Sequence, residues 1–543
     1  MILAQNKNIQ DTLFLTFILL STLMPRLGAI DSNAIRWFTV SIFSLAYLFN
    51  SIRLGRFKLV LQKDHILFAG LLFIYLLLSV FIAKNNIEGI VALYKIIILI
   101  VVYFISYDIL KRNNSFITIC VIFSISTFIE SLVILTQFYA SYEWIVGVAT
   151  NPNISSSSLI IKLPFIIFLI QNIKNKSYKI LLKIIEFMSI IGIIILGSRL
   201  GIFSLFIIYF SYFLWYKKSR LAQVFSIIII IAVSFFINSS KNKNGVGLSS
   251  LRIESLAIDE STNQRLNFYK KALDLSFEKP VFGHGLGSWK YESLTYEENE
   301  NKSLLVPYYT HNDFLQTFFE LGFLGLLAYL VILITLFKKI MHADNQFRGV
   351  LIITFIMFLL NSLLNFPLHR SQEIIPFIII VSIIICLNNK ENEQKLELSS
   401  FTLICTIIPI LALSFLEHNS LKIQGKLFSD YNLGTYSLNK NEIDNVNYYI
   451  PNLSANGVPI ATYISRYYFE NKEYDKSLSL LKLSSKANYK DLMTQELLLK
   501  NYIFLGHNNI AVELSKNLMK TYPENSLYAE IYFSLISEQK IKD

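Results

Sequence analysis

Long apolar segments recur along about three quarters of this chain and constrain its fold more than any other feature. A transmembrane helix needs about 20 apolar residues, and most of these segments approach or reach that length. With 53% hydrophobic residues overall, the pattern predicts an all-α polytopic helical membrane protein with about 12–13 transmembrane helices. The segments lie near 11–24, 34–52, 66–83, 87–106, 115–138, 154–173, 180–197, 200–216, 222–238, 312–336, 349–365, 373–387 and 398–416.

The loops between these segments alternate between basic and nearly uncharged, which predicts the orientation. Lys and Arg favour cytoplasmic loops, so we expect a cytoplasmic amino terminus and, after an odd number of spans, a periplasmic carboxyl terminus. In a bacterium this places the chain in the inner (cytoplasmic) membrane, in contact with its lipid. The net charge of +11 comes mostly from short basic loops, so nucleic acid is not expected as a partner.

These boundaries divide the chain into four parts. Residues 1–238 hold spans 1–9, residues 239–311 form a large periplasmic loop, residues 312–416 hold spans 10–13, and residues 417–543 form a periplasmic tail. In the loop, Leu266, Tyr269, Leu273 and Phe277 have the spacing of an amphipathic helix that ends before a proline. The loop therefore has structure of its own, as functional loops of this length usually do.

The tail contains a possible internal repeat. The positions of Tyr474 and Leu478 recur about 36 residues later as Ile510 and Leu514, a spacing close to the length of a tetratricopeptide repeat. We therefore predict a tetratricopeptide-like helical repeat domain, which would bind a protein partner or brace the complex. The alternative is a helical cap without a ligand.

The segment "THNDFLQTFFELG" places polar residues at the mouth of span 10. Asn312 and Glu320 lie on one helical face with Gln316 between them, and Glu320 falls about two turns inside the span, where an ionisable group is usually functional. His311 precedes this helix and, mostly neutral at pH 7, can accept a proton from an attacking hydroxyl. A simpler interpretation is a capping box formed by Thr310 and Asp313.

Other outer loops contribute candidate residues, each with a simpler interpretation. Arg199 in "LGSRLGIF" is either functional or reaches for lipid phosphate. Asn153 in "TNPN" begins span 6, where a turn and cap are ordinary. Arg265 begins the loop helix, where a solvated charge is usual. Gly283 and Gly285 in "FGHGLGSW" can offer backbone N–H groups to phosphate, although no strand frames a dinucleotide site.

The order "NPN", "SRLG", "QRLNFYKKALDLSFEKPVFGHGLGSW" and "HNDFLQTFFELGFLGL" resembles the O-antigen ligase superfamily over roughly residues 140–340. That superfamily also holds O-antigen polymerases and protein O-oligosaccharyltransferases. The resemblance implies a GT-C-like fold and transfer of a glycan from undecaprenyl diphosphate to an acceptor hydroxyl at the periplasmic face, with no required metal or other cofactor. Carried over by position, it implies functional roles for Arg199, Arg265 and His311.

The chemistry of these side chains agrees with that reaction. Arg199 and Arg265 offer permanently charged, forked donors that would stabilise the departing diphosphate. His311 would deprotonate the acceptor hydroxyl for attack with inversion at C1. Substrate contacts are expected from Asn312 and Glu320, which could orient His311 or the sugar, from Tyr269, which could stack on a sugar, and from the loop residues Asn153, Gly283 and Gly285.

Several alternatives remain open at this stage. The acceptor could be lipid A-core or a similar glycolipid, a protein, or a growing glycan, so polymerase and protein O-oligosaccharyltransferase activities are alternatives. A polyprenyl-glycan flippase would also need many spans, but matched broken-helix repeats are not evident. A metal-dependent transferase would want loop carboxylates, of which Asp31 is one, yet the sequence has no Asp-x-Asp pair.

Overall fold

The computed structural model describes residues 2–55, 58–113, 116–142, 144–215, 260–293, 308–388, 395–523 and 525–542, together with residues 224, 226 and 228. The helices of the membrane part are α1 (Ile2–Ser21), α2 (Asn33–Arg53), α3 (Lys63–Ile82), α4 (Asn86–Asn113), α5 (Phe116–Tyr139), α6 (Pro152–Asn172), α7 (Lys176–Leu196), α8 (Arg199–Trp215), α11 (Asp313–His342), α12 (Asn345–Leu364), α13 (Ser371–Leu387) and α14 (Ser400–Leu433). The large loop at residues 239–311, which we call the outer loop, contributes α9 (Glu260–Ser276) and the single turn α10 (Trp289–Glu292).

These helices confirm the predicted all-α polytopic class. Seven of the described helices, α2, α4, α5, α6, α11, α12 and α14, are long and apolar enough to span a membrane, and four further apolar helices are shorter. Each predicted segment except one coincides with a described helix. The exception, 222–238, lies almost entirely outside the described residues.

Helix α6 forms the centre of the membrane part. It packs against α5, α7, α12 and α13, and its apolar residues are buried on every side, as expected for a helix without a polar face. Around this centre, α14 packs along α2, and α13 packs along α4. The candidate residues described below lie in the loops at one end of this bundle.

A two-stranded antiparallel ribbon closes the other end of the bundle. Strand β1 (Lys58–Gln62) pairs with β2 (Lys395–Ser399), with Lys58 opposite Ser399 and Gln62 opposite Lys395. The pairing places the loop between α2 and α3 beside the loop between α13 and α14. The predicted alternation of basic and nearly uncharged loops requires these two loops to lie on the same side of the membrane.

Long-range hydrogen bonds join the loops at the opposite end. The Arg36 guanidinium donates to the carbonyl oxygen of Val148 at 2.7 Å, and the Asn33 amide donates to that of His369 at 2.9 Å. These bonds connect the start of α2 to the α5–α6 and α12–α13 loops. We refer to this end as the outer end, after its predicted orientation.

The outer-loop helix α9 buries a different face from the predicted one. Phe268, Ala272 and Leu275 pack with Trp289 and Phe319, because the small Ala272 side chain, fully buried, lets α9 approach α11 closely. By contrast, the predicted apolar positions Leu266, Leu273 and Phe277 are exposed. Of the predicted face, only Tyr269 is partly buried.

No break separates the last predicted span from the tail. Helix α14 runs through residues 416 and 417 and ends at Leu433, where Gly434 adopts a left-handed conformation. The tail then forms α15 (Lys440–Asp444), α16 (Ile460–Glu470), α17 (Tyr474–Ala487), α18 (Leu492–Phe504), α19 (Asn508–Thr521) and α20 (Ser526–Lys542). From α16 onward each helix packs on the next; their assignment to tetratricopeptide repeats stays a prediction.

The tail contacts the outer end of the membrane part directly. Glu88 accepts hydrogen bonds from the Lys290 ammonium at 3.0 Å and from the Leu453 backbone N–H at 3.2 Å. Beside them, the side chains of Asn85 and Asn452 bond to each other. The tail is therefore anchored to both the α3–α4 loop and the outer loop that carries the candidate residues.

Candidate active site

His311 lies at the head of α11 with a left-handed backbone, φ 58°. The local chain supports this conformation, because the Thr310 hydroxyl donates to the Asn312 carbonyl oxygen at 2.7 Å and accepts from the Asn312 N–H at 3.1 Å. Asn312 is the N-cap, and its side-chain oxygen accepts from the N–H groups of Phe314 and Leu315. The capping box expected from Thr310 and Asp313 is therefore wrong.

Aromatic side chains enclose the His311 ring. Its centroid lies 4.8 Å from that of Phe366 in an edge-on arrangement and 6.5 Å from that of Phe268 in a parallel one. The Tyr269 hydroxyl donates to the His311 carbonyl oxygen at 2.9 Å, so Tyr269 positions the His311 backbone. Its proposed stacking on a sugar stays a prediction.

The surroundings of His311 keep its ring neutral. Burial is the largest cause, and the charges of Arg265 and Arg370 add to it, so that the pKa of His311 is lowered to about 4. A neutral imidazole can accept a proton. Its Nδ1 is buried and has no hydrogen-bond partner within the described parts of the chain.

Arg265 approaches His311 from the outer-loop helix α9. Its guanidinium donates to the carbonyl oxygen of Leu364 at 3.1 Å, at the last residue of α12, where a cation is stabilised by the helix dipole. This bond holds α9 over the α12–α13 loop. The arrangement brings the predicted Arg265 and His311 together.

Arg199 begins α8 at the hairpin with α7, which turns through the left-handed Gly197. The Arg199 side chain is exposed, while its neighbour Ser198 lines a small polar pocket with Asn153 and Asn361. Asn361 accepts a hydrogen bond from the Asn365 amide at 2.8 Å, next to the Leu364 carbonyl that holds Arg265.

Asn153 lies near a helix start that matches its simpler interpretation. The Asn151 side chain caps α6 by accepting from the N–H groups of Asn153 and Ile154, and Pro152 occupies the first turn. Asn153 itself lines the pocket beside Ser198. A substrate contact for Asn153 stays a prediction.

The glycine-rich turn is tied to a break in α11. Gly322 has non-helical angles, φ 66° and ψ −169°, and this break leaves backbone groups that pair with the turn. The His284 N–H donates to the Phe319 carbonyl oxygen and the Gly285 N–H donates to that of Glu320, both at 2.9 Å. The Gly283 N–H donates to the Lys279 carbonyl oxygen. Because these N–H groups donate within the protein, Gly283 and Gly285 serve close packing, and the geometry does not support their predicted role toward phosphate.

Glu320 is likewise occupied by internal hydrogen bonds. One carboxylate oxygen accepts from the Gly287 N–H at 3.0 Å, and the other accepts from the Gln316 amide at 3.2 Å. Gln316 in turn accepts from the Thr310 N–H at 3.3 Å. The hydrogen bonds of Gln316 and Glu320 therefore connect the outer loop to α11. A direct substrate contact by Asn312 or Glu320 stays a prediction.

Sequence reasoning did not identify Arg370, which lies beside His311 between α12 and α13. Its guanidinium forms an ion pair of 2.9 Å with Asp31 and lies 5.2 Å from the centre of the Phe366 ring. The only sequence signal was the polar "HRSQE" between two apolar segments. Asp31, the loop carboxylate that a metal-dependent transferase would use, is the partner of this arginine.

Two comparisons with known proteins find similarity to O-antigen or polysaccharide ligases. Residues 184–330, which include Arg199, Arg265 and His311, match the O-antigen ligase family. A Rickettsia conorii protein named "Putative polysaccharide ligase" is 28% identical over 120 residues. The match covers 21% of this chain and 29% of that relative's length.

Proposed function

The chain belongs to the O-antigen ligase superfamily through residues 184–330, and from this premise we propose that it is a glycosyltransferase of the bacterial inner membrane. The proposed reaction moves an oligo- or polysaccharide from undecaprenyl diphosphate to a hydroxyl of lipid A-core or a similar acceptor. It takes place at the periplasmic face without a metal ion. The observation that carries the proposal is the neutral His311 beside Arg265 at the outer end of an apolar helical bundle.

His311 is the proposed general base. Its Nδ1 is buried, so Nε2 is the nitrogen that an acceptor hydroxyl would approach. As Nε2 takes the proton, the acceptor oxygen forms a bond to C1 of the sugar, and the bond from C1 to the phosphate oxygen breaks. Attack from the face opposite the leaving group inverts the configuration at C1.

The arginines are proposed to stabilise the leaving group. Undecaprenyl diphosphate departs with developing negative charge, and preorganised cations lower the energy of that state. Arg265 is held by the end of α12 and has further guanidinium N–H groups for phosphate oxygens. Arg199 would contribute from the α7–α8 hairpin, beside the polar pocket that Asn153 and Ser198 line.

Purified full-length protein tests the proposal when undecaprenyl-diphosphate glycan, lipid A-core and EDTA are supplied. We expect transfer by the wild type and a loss of at least about a hundredfold in His311→Ala. His342→Ala is the matched control, because His342 is exposed in the last turn of the same helix α11. Equal activity in His311→Ala and wild type would show that His311 is not the general base.

The same assay separates the alternative activities. Growth of the donor glycan without transfer to lipid A-core would indicate an O-antigen polymerase. Transfer to a protein acceptor alone would indicate a protein O-oligosaccharyltransferase. Loss of activity in EDTA would indicate a metal-dependent enzyme, and movement of donor across vesicles without a new glycosidic bond would indicate a flippase.

A further inference from the structure

The loop that carries Arg370 is held rigidly at the outer end of the bundle. The Asn33 side chain donates to the His369 carbonyl oxygen at 2.9 Å and accepts from both the backbone N–H and the hydroxyl of Ser371. Three bonds from one buried asparagine therefore fix the residues on either side of Arg370. A side chain placed this firmly is preorganised for binding.

The Arg370 guanidinium is partly satisfied by its neighbours. One terminal nitrogen, Nη1, donates to Asp31 at 2.9 Å, and the group lies over the rings of Tyr309 and Phe366 at 5.4 Å and 5.2 Å. Its Nε is buried and has no hydrogen-bond partner in the described structure. This Nε–H is therefore left for an incoming anion, and Nη2 lies on the same edge of the guanidinium.

Asp31 does not cancel the positive charge of this region. Burial alone would raise the pKa of Asp31, but the nearby Arg370 and Arg36 hold it below its usual range. The single charge of Asp31 therefore cannot neutralise both guanidinium groups. Arg265 adds a third guanidinium, held at the Leu364 carbonyl.

The position of Arg370 places this charge beside the proposed base. The Phe366 ring that lies under Arg370 also contacts the His311 ring, with 4.8 Å between ring centroids. Arg370 and Arg265 are the charged groups that act on His311. Both cations therefore lie close enough to the imidazole to disfavour its protonated form.

We infer that Arg370 binds a phosphate oxyanion of a substrate beside His311, and that Asp31 positions its guanidinium for this contact. The inference rests on the proposed function and extends it to a residue outside the segment 184–330. The oxyanion could belong to the diphosphate of the donor lipid or to a phosphate on a glycolipid acceptor. A forked guanidinium suits either source, because the recognised group is the same.

The first measurement is binding of sugar-free undecaprenyl diphosphate to full-length protein in nanodiscs, with Arg370→Gln compared with wild type. We expect binding to weaken by about tenfold or more when the forked cation is lost. Arg370→Lys should recover only part of the affinity, since it keeps the charge but not the fork. Arg348→Gln is the control, because within the described residues the hydrogen bonds of Arg348 go to the Ala343 carbonyl near the start of α12.

Steady-state kinetics then identify the source of the phosphate. A raised KM for the donor with an unchanged KM for lipid A-core assigns the oxyanion to the donor diphosphate. A raised KM for phosphorylated lipid A-core alone, with normal binding of undecaprenyl diphosphate, assigns it to the acceptor. Unchanged binding and unchanged KM for both substrates in Arg370→Gln would overturn the inference.

Two further controls keep the inference separable from folding and from the proposed function. The double variant Asp31→Asn/Arg370→Gln removes both partners, so no unpaired carboxylate remains, and it should show the same binding loss with a wild-type Tm. If the wild type binds undecaprenyl diphosphate through Arg370 but transfers no glycan, only the proposed function fails. If Arg370→Gln transfers glycan with the same donor binding and the same KM values as the wild type, only the Arg370 inference fails.

Discussion

Glu292 and Lys490 form an ion pair of 2.9 Å that joins the outer loop to the tail. The same carboxylate pairs with Lys84, also at 2.9 Å, so three segments of the chain meet at one buried glutamate whose side chain is 6% exposed. Because Glu292 lies in α10, whose Trp289 packs with Ala272 of α9, the tail supports the loop that holds Arg265. The tail is thus part of the framework of the candidate site.

Replacing Glu292 with Gln should loosen this contact. Two lysines would lose their shared partner at a largely buried position, which we expect to cost about 1–3 kcal/mol of stability. The rate of limited proteolysis within the outer loop and the tail, together with the Tm, measures the effect. Glu473→Gln is the matched control, because Glu473 pairs with Lys440 and Lys476 on the tail surface; it should change neither readout, and an equal loss in both variants would contradict a special role for Glu292.

The stabilisation that Glu292 provides should decrease at low pH. Burial would raise the pKa of Glu292, but hydrogen bonds and charges from Lys84 and Lys490 lower it below its usual value of 4.5. A lowered pKa means that the stabilisation is fully present above pH 4.5 and is lost as the pH falls through the folded-state value. The difference in Tm between wild type and Glu292→Gln should therefore be constant near neutral pH and shrink below about pH 4.5.

The glycine-rich turn gives a test of packing. A Cβ added at Gly283 would lie 2.5 Å from both the Glu320 carbonyl oxygen and the Gly322 nitrogen, and Gly283 has φ +73°. We expect Gly283→Ala to cost about 1–3 kcal/mol beyond backbone strain, because the clash is with backbone. Gly506→Ala isolates the strain, since Gly506 has φ +72° with nothing within 4 Å. Equal losses of Tm would show that the contact with α11 is unimportant.

The sequence predicted most of the fold because length and hydropathy are local properties. Each apolar segment could be identified without knowing its neighbours, and twelve of the predicted thirteen coincide with described helices. His311 and Arg265 were also identifiable, because both lie within a segment whose order of motifs is recognisable. Their proximity follows from the way α9 lies across the start of α11 and the end of α12.

The missed features all depend on contacts between distant parts of the chain. Arg370 gains its environment from Asp31, 339 positions away, and the sequence around either residue contains no sign of the pair. Lys162 lies inside the apolar segment 154–173, yet it forms a buried ion pair of 2.6 Å with Glu130. The buried face of α9 differs from the predicted one for the same reason, because it is set by Trp289 and Phe319 rather than by the hydrophobic pattern of the helix.

The pH profile of glycan transfer tests the electrostatic description of His311. Because the pKa of His311 is lowered to about 4 in the free protein, kcat/KM should fall only as the pH decreases through about 4, where the base becomes protonated. Bound diphosphate would oppose the arginines that lower this pKa, so the acidic limb of kcat should lie at higher pH than that of kcat/KM. In Arg265→Gln the acidic limb of kcat/KM should also move upward, since one of the two cations is lost. Arg348→Gln should leave both limbs in place, and an acidic limb unmoved by Arg265→Gln would mean that Arg265 does not act on the base.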